Sequence, residues 1–238
     1  MELIRLDKFI SGQMPEYSRN DVKQLCRRGR VAVNGVAAKS ADMKIDAHTA
    51  NVTVEGKTVC YKKNVYIMLN KPSGVVCSTR DGLSKTVLEL LPKNLLRQGL
   101  FPAGRLDKDT EGFVLITDDG ELAHKMLSPK SHVPKRYFVR LEHDICPDAE
   151  RIFKLGITID GGEKCLPAEL ELTDSANECY LTLHEGMYHQ VKRMFEALGN
   201  RVVYLKRVKI GGVELDPKLE LSKVRELTPE EIQKLILS

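Results

Sequence analysis

No stretch of this 238-residue sequence stays apolar for anything near the ~20 residues that a membrane-spanning helix needs. The amino terminus, MELIRLDKF, mixes acidic and basic residues within its first eight positions and has no apolar core, so no secretory leader is expected. The six cysteines, at 26, 60, 77, 146, 165 and 179, include no CxxC pair, which argues against a zinc ribbon or a dithiol redox centre and for reduced thiols. Internal repeats and low-complexity tracts are also missing, as is a strong charge of one sign. The balance is 37 Lys+Arg against 33 Asp+Glu, and +4 is too small to establish a polyanionic partner by itself. These absences leave a soluble, cytoplasmic, globular protein, long enough for two domains.

The charge that is present is unevenly placed. Residues 1–60 hold 10 Lys+Arg against 7 Asp+Glu, and the remainder holds 27 against 26. Within that first segment Leu6, Phe9 and Ile10 fall at helical spacing. Ser18, with Asp21 three residues on, has the form of a helix N-cap, ahead of an apolar face on Val22, Leu25 and Cys26 that Gly29 would end. Arg19, Lys23, Arg27 and Arg30 recur at spacings of four, four and three, and so form one stripe beside that face. Such a stripe is either a solvated surface or a contact for a phosphate backbone. Val31–Val33, the hairpin dipeptide Asn34-Gly35 and Val52–Val54 predict short strands.

After a polar stretch at 60–64, the remaining sequence alternates short strand signals with scattered helices. Strands are expected at 65–69, 75–77, 135–141, 157–159, 168–172, 179–183, 202–209 and 213–215. Helices are expected at 121–127, 148–155 and 186–199, and after the capping box of Thr228 and Glu231 with Pro229 at the first helical position. Irregular order of this kind indicates an α+β class with a largely antiparallel mixed sheet flanked by helices.

Ionisable chemistry is densest in Gly104–Gly112, GRLDKDTEG, just before the apolar run Phe113–Thr117. Asp107, Asp109, Glu111, Gly112 and Asp118 imitate a calcium loop. The glycines and proline upstream forbid the entering helix, and the last position is Asp where a bidentate Glu is needed. His184-Glu185 and His189 imitate a zinc helix, but five residues with a glycine between do not share a helix face. On residue type alone Asp107 fits either a salt-bridged loop residue or a reactive carboxylate.

GRLDKDTEG followed by FVLITDDG resembles the catalytic motif of the pseudouridine synthases. LNKPSG at 69–74, KRYFV at 135–139 and EGMYHQVKRMF at 185–195 are similar to that family's other motifs, in the same order. RLDKF, SRNDVKQLCRRGRVAVNG and VTVEG resemble the alpha-L RNA-binding domain of a ribosomal small-subunit protein. Together they cover nearly the whole chain and point to the branch that modifies bacterial small-subunit (16S) rRNA, HQVKRM being closer to that branch than to large-subunit relatives.

The resemblance implies a pseudouridine synthase fold over 61–238 and an alpha-L type RNA-binding domain over 1–60. It implies isomerisation of a uridine with Asp107 as nucleophile, Lys192 as its ion-pair partner with Arg193 the neighbouring alternative, and Tyr137 stacked on the base. Arg105 would fill the space left by a flipped nucleotide. Asn70, Lys71 and Pro72 would shape the pocket, with Asn70, Lys71, Arg193 and the Arg19, Lys23, Arg27, Arg30 stripe as RNA contacts. No metal or other cofactor is expected, and the partner would be rRNA, free or in an assembling small subunit, bound by a monomer. Two competing readings are a synthase for 23S rRNA and a non-catalytic RNA-binding assembly factor.

Overall fold

The computed structural model describes residues 2–128 and 131–236. It divides into two compact units, one of Met1–Val65 with Leu91–Leu100 and one of Tyr66–Leu90 with Phe101–Ser238. In the first unit β1 (Leu3–Arg5) leads into α1 (Leu6–Gln13) and α2 (Arg19–Arg27). Ser18 caps α2 as expected: its side chain accepts from Asp21 N–H while the Asp21 carboxylate accepts from Ser18 N–H. Next come β2 (Val31–Val33), β3 (Val36–Ala37), β4 (Lys44–Asp46), β5 (Val52–Val54) and β6 (Lys57–Val59). Asn34 and Gly35, at φ of 51° and 80°, form the tight turn between β2 and β3. The antiparallel sheet runs β3-β2-β5-β6, while β4 pairs with β1. Leu6, Phe9, Ile10, Val22 and Leu25 pack with Val31, Val52 and Val54, so the faces predicted from spacing are those that are buried.

The second unit contains β7 (Tyr66–Lys71), β8 (Phe101–Ala103), β9 (Glu111–Thr117), α3 (Gly120–Leu127), β10 (Lys135–Leu141), α4 (Ala149–Leu155), β11 (Glu169–Leu172) and β12 (Glu178–Leu183). It continues with α5 (Gln190–Glu196), β13 (Val202–Ile210), β14 (Val213–Glu214), β15 (Val224–Glu226) and α6 (Pro229–Lys234). Its nine-stranded sheet is ordered β11-β12-β10-β13-β9-β7-β15, with β14 on β13 and β8 on β9. Every pairing is antiparallel except β9 with β13, in which Lys206 lies opposite Glu111 and Arg207 opposite Gly112. β9 is therefore central and buried almost throughout, which explains its unbroken apolar run.

Three expectations need correction. The helix expected over 186–199 is confined to Gln190–Glu196. His189 at φ 50° breaks it, and the buried Gln190 side chain accepts from Met187 N–H and donates to Glu185, holding 185–189 as a turn. The strands expected at 75–77 and 157–159 shrink to single bridges, Val76 with Thr86 and Thr158 with Lys164.

The parallel junction sets a strict requirement at Gly112. Its φ is +103°, and a Cβ there would lie 2.2 Å from the Arg207 carbonyl oxygen and 2.8 Å from its nitrogen. Gly112→Ala is accordingly expected to destabilise the protein by about 3 kcal/mol or more, from backbone strain and overpacking together. Denaturant titration measures this, and an unchanged midpoint would show that β13 can move away at little cost.

Candidate active site

The turn from β8 to β9 carries Gly104–Thr110, and an unusual internal post holds it. Lys71, at the end of β7, is completely buried. Its ammonium donates to the carbonyls of Pro72 (3.1 Å), Asp107 (3.0 Å), Lys108 (3.1 Å) and Thr110 (2.7 Å). Burial lowers its pKa, opposed by the nearby carboxylates of Asp109, Asp107 and Glu111. Leu106 N–H also donates to Cys77 Sγ, and Gly74 N–H to the Lys108 carbonyl. The backbone of the loop is thus pinned from below while the Asp107 side chain, 27% exposed, projects from it.

Lys192 and His189, on the α5 side, face that carboxylate. Lys192 Nζ lies 3.4 Å from Asp107 Oδ2, and His189 Nε2 lies 3.5 Å from Asp107 Oδ1. Lys192 is closer still to Asp109, at 2.7 and 2.9 Å from its two oxygens. Burial works against the charged form of both Lys192 and Asp109. Their hydrogen bond and mutual attraction, with Asp107 adding to the field on Lys192, outweigh it, so Lys192 is raised and Asp109 lowered. The left-handed conformation of His189 turns its ring toward Asp107 and stacks it on Tyr188, 3.8 Å between centroids.

Asp107 opens onto a cleft of about 460 Å³ that Arg105, Thr110, Lys135, Tyr137, His189 and Arg207 help to line. Tyr137 reaches it from β10, side by side with Arg207 of β13, to which it is paired in register. Arg105 is exposed at the cleft and, among the described residues, takes part in no ion pair. The calcium imitation dissolves here, because Glu111–Thr117 is an extended strand that carries Asp118 away from Asp107. Among the described residues no three His, Cys, Asp or Glu side chains converge as a metal site.

Three residues expected to contact RNA are engaged elsewhere. Lys71 is the buried post just described and has no face left for a ligand. Asn70 is only 3% exposed and donates to the Leu219 carbonyl at 2.7 Å, so it joins β7 to the segment before β15. Arg193 points away from Asp107: its guanidinium pairs with Asp160 and with Glu163 (2.6 Å) and donates to the Tyr188 carbonyl (3.2 Å). That arrangement ties the turn at 160–163 to the start of α5. Of the neighbouring pair, Lys192 has its ammonium at Asp107.

Sequence reasoning passed over Asp109, His189, Lys135 and Arg207 as members of the site. His189 and Lys135 lie inside the motifs quoted above, whereas Arg207 stands in a strand whose alternation gave no sign of a buried charge. Burial, with the Arg207 guanidinium second, pushes the Lys135 amine down to about 8. Below pH 8 folded and unfolded chains both hold the proton and the folded state bears the whole cost of burial. That cost is relieved as pH rises through 8 and is gone above about 10.5, where the unfolded lysine also titrates. Lys135→Met should therefore stabilise the protein at neutral pH and not above pH 10.5. Direct NMR titration of the Lys135 Cε should show a midpoint about 8, and a midpoint above 10 would contradict the placement.

In the first unit Arg19, Lys23, Arg27 and Arg30 are all exposed, and among the described residues none forms an ion pair. If this stripe meets phosphates, neutralising Lys23 and Arg27 should weaken RNA binding and flatten the dependence of log K on log salt by about 0.7–0.9 per lost contact. An unchanged slope would mean that this face of α2 meets only solvent.

Comparison with known proteins adds the following. The family described as RNA pseudouridylate synthase matches residues 65–197, and the S4 domain matches residues 4–50. The chain is 47% identical to the uncharacterized RNA pseudouridine synthase YtzG of Bacillus subtilis, over 98% of each chain. It is 45% identical to ribosomal small subunit pseudouridine synthase A of Vibrio cholerae, covering 96% of this chain and 98% of that one. To the Escherichia coli protein of the same name it is 42% identical, covering 98% and 100%. A crystal structure of pseudouridylate synthase superposes with a TM-score of 0.69 at 40% identity, covering 98% and 99%.

Proposed function

The chain belongs to the RNA pseudouridine synthase family, and from that membership we propose that it converts one uridine of 16S rRNA to pseudouridine, with Asp107 as the reacting carboxylate. The observation that carries the reading is the meeting of Asp107 and Tyr137 in one cleft, with the Lys192 ammonium 3.4 Å from the Asp107 carboxylate. These groups come from a loop, a helix and a strand far apart in sequence, and a protein that only bound RNA would not need them together.

The target nucleotide leaves the stack and enters the cleft, since its anomeric carbon and C5 are out of reach in a stacked strand. Tyr137 offers a ring face to the uracil, and Arg105, exposed at the cleft, occupies the vacated place in the RNA. The Lys192 ammonium sets a positive charge 3.4 Å from the Asp107 carboxylate, against the repulsion of a polyanionic substrate. The carboxylate acts on the sugar as the C1′–N1 bond breaks, and the cleft retains the detached base while it turns. Oxidation state is unchanged from substrate to product, so the reaction calls for no cofactor. Residues 1–60 serve as the RNA-binding domain and 61–238 as the catalytic domain of a cytoplasmic monomer. Among the described residues no helix is long and apolar enough to cross a membrane. The two relatives named for the small ribosomal subunit support 16S over 23S rRNA.

Tritium release from [5-³H]uridine-labelled transcripts tests this. Purified protein should release about one equivalent from 16S rRNA or from a small-subunit particle and none from 23S rRNA. Release from 23S alone would move the activity to the large subunit. Binding without release from any of the three would leave an RNA-binding factor.

A further inference from the structure

Arg207 is a buried charged group of the second unit with unmet hydrogen-bonding capacity. It is 2% exposed, yet only its Nε–H has a partner, the Phe113 carbonyl at 2.8 Å. Its Nη2 is sealed from solvent with no acceptor. A second polar group with unmet capacity lines the same cleft: Thr110, 1% exposed, whose Oγ1 is also buried without a partner. Leaving a guanidinium end unpaired in the interior is costly, so an arrangement with two such groups on one cavity suits an acceptor that arrives with the ligand.

We infer that Arg207, assisted by the Thr110 hydroxyl, forms a subsite for an exocyclic oxygen of the uracil base and stabilises the negative charge that gathers there when the base detaches. Depth favours a base over a phosphate. The RNA backbone must stay continuous across the mouth of the cleft, whereas Arg207 lies in the sheet itself, between Tyr137 on β10 and Gly112 on β9. As C1′–N1 breaks, the bonding pair leaves with the base and spreads from N1 onto O2 and O4. Formation of C1′–C5 returns the pair, after which C5 loses its proton and N1 gains one, so uridine and pseudouridine balance. A fixed cation at O2 or O4 is most strongly bound while the base is detached, which makes it a contribution to rate above affinity. The charge is already felt in the cleft, because the Arg207 guanidinium helps to depress the neighbouring Lys135.

This inference rests on the synthase reading. The test compares wild type, Arg207→Met and Arg207→Lys on a 16S fragment carrying uridine, 2-thiouridine or 4-thiouridine at the target, sulfur being a poor acceptor. Arg207→Met should bind the fragment within about two-fold of wild type and lose about 10²-fold in kcat, with Arg207→Lys recovering part of the loss. In wild type one of the two thio substitutions should slow the reaction, identifying the oxygen, and Arg207→Met should no longer respond to it. Wild-type kcat in a folded Arg207→Met, or equal thio sensitivity in both proteins, would overturn the inference. Should Arg207→Met not fold, indifference of the wild type to both substitutions would do the same. Failure of the wild type on ordinary uridine would instead remove the synthase reading.

Discussion

Asp107→Asn is expected to lower pseudouridine formation by roughly 10⁴-fold or more, the scale on which removing a reacting side chain acts. RNA affinity should stay within about two-fold, since most protein–RNA bonds go to the backbone and not to the reacting group. The site explains why so drastic a loss need not disturb the fold. Lys192 retains Asp109 at 2.7 Å when the Asp107 charge is removed, so no ammonium is left unpaired. The loop backbone is held by Lys71 through the Asp107 carbonyl, which Asn also has. A single-turnover assay with a parallel binding measurement decides the matter, and near-normal turnover by the variant would exclude Asp107 as the reacting group.

Lys71→Met should be nearly as damaging by a different route. Four backbone carbonyls converge on the Lys71 ammonium, three of them from the loop that presents Asp107. A thioether fills much of the same space and offers no donor. Leaving buried carbonyls unmet is expected to cost about 3 kcal/mol or more. Even in the folded fraction, Asp107 would lose its register, and displacement of about 1 Å at a reacting group can lower the rate by roughly 10²-fold. The joint signature is a lower Tm together with a lower kcat per folded molecule. A stable variant with wild-type kcat would show that Gly104–Thr110 holds its shape without the post.

Much of the fold was legible because its signals are local. The capping boxes of Ser18 with Asp21 and Thr228 with Glu231, and the Asn34-Gly35 turn, depend on residues within three positions of one another, and each forms as the spacing predicts. Local signals failed where a distant partner decides the conformation. The run from Gly186 to Gly199 has helical composition, but Gln190 bonds to Met187 and Glu185 and starts the helix late, which aims His189 at Asp107.

The same distinction governs the site. Asp107, Tyr137 and Lys192 can be named from motifs; the fold brings Asp107 and Tyr137 to one cleft and Lys192 to within 3.4 Å of Asp107. Lys71 is expected from its motif to shape the pocket or contact RNA; its burial beneath the Asp107 loop is not legible locally, because that environment is built by carbonyls almost 40 positions away. The choice between Lys192 and Arg193 is not legible locally, because adjacent residues on a helix point about 100° apart, and only the position of Asp160 and Glu163 shows which cation is already occupied. Arg207 gave no signal at all: its burial follows from the parallel pairing of β13 with β9, a contact between segments nearly 100 residues apart.

The central claim is that this chain makes pseudouridine in small-subunit rRNA through Asp107. It is tested most directly by expressing wild type and Asp107→Asn in a bacterial strain lacking its own small-subunit synthase and mapping pseudouridine across 16S and 23S rRNA. Wild type should restore one site in 16S rRNA and the variant none, with 23S rRNA unchanged in both. Restoration by Asp107→Asn, or new pseudouridine confined to 23S rRNA, would contradict it.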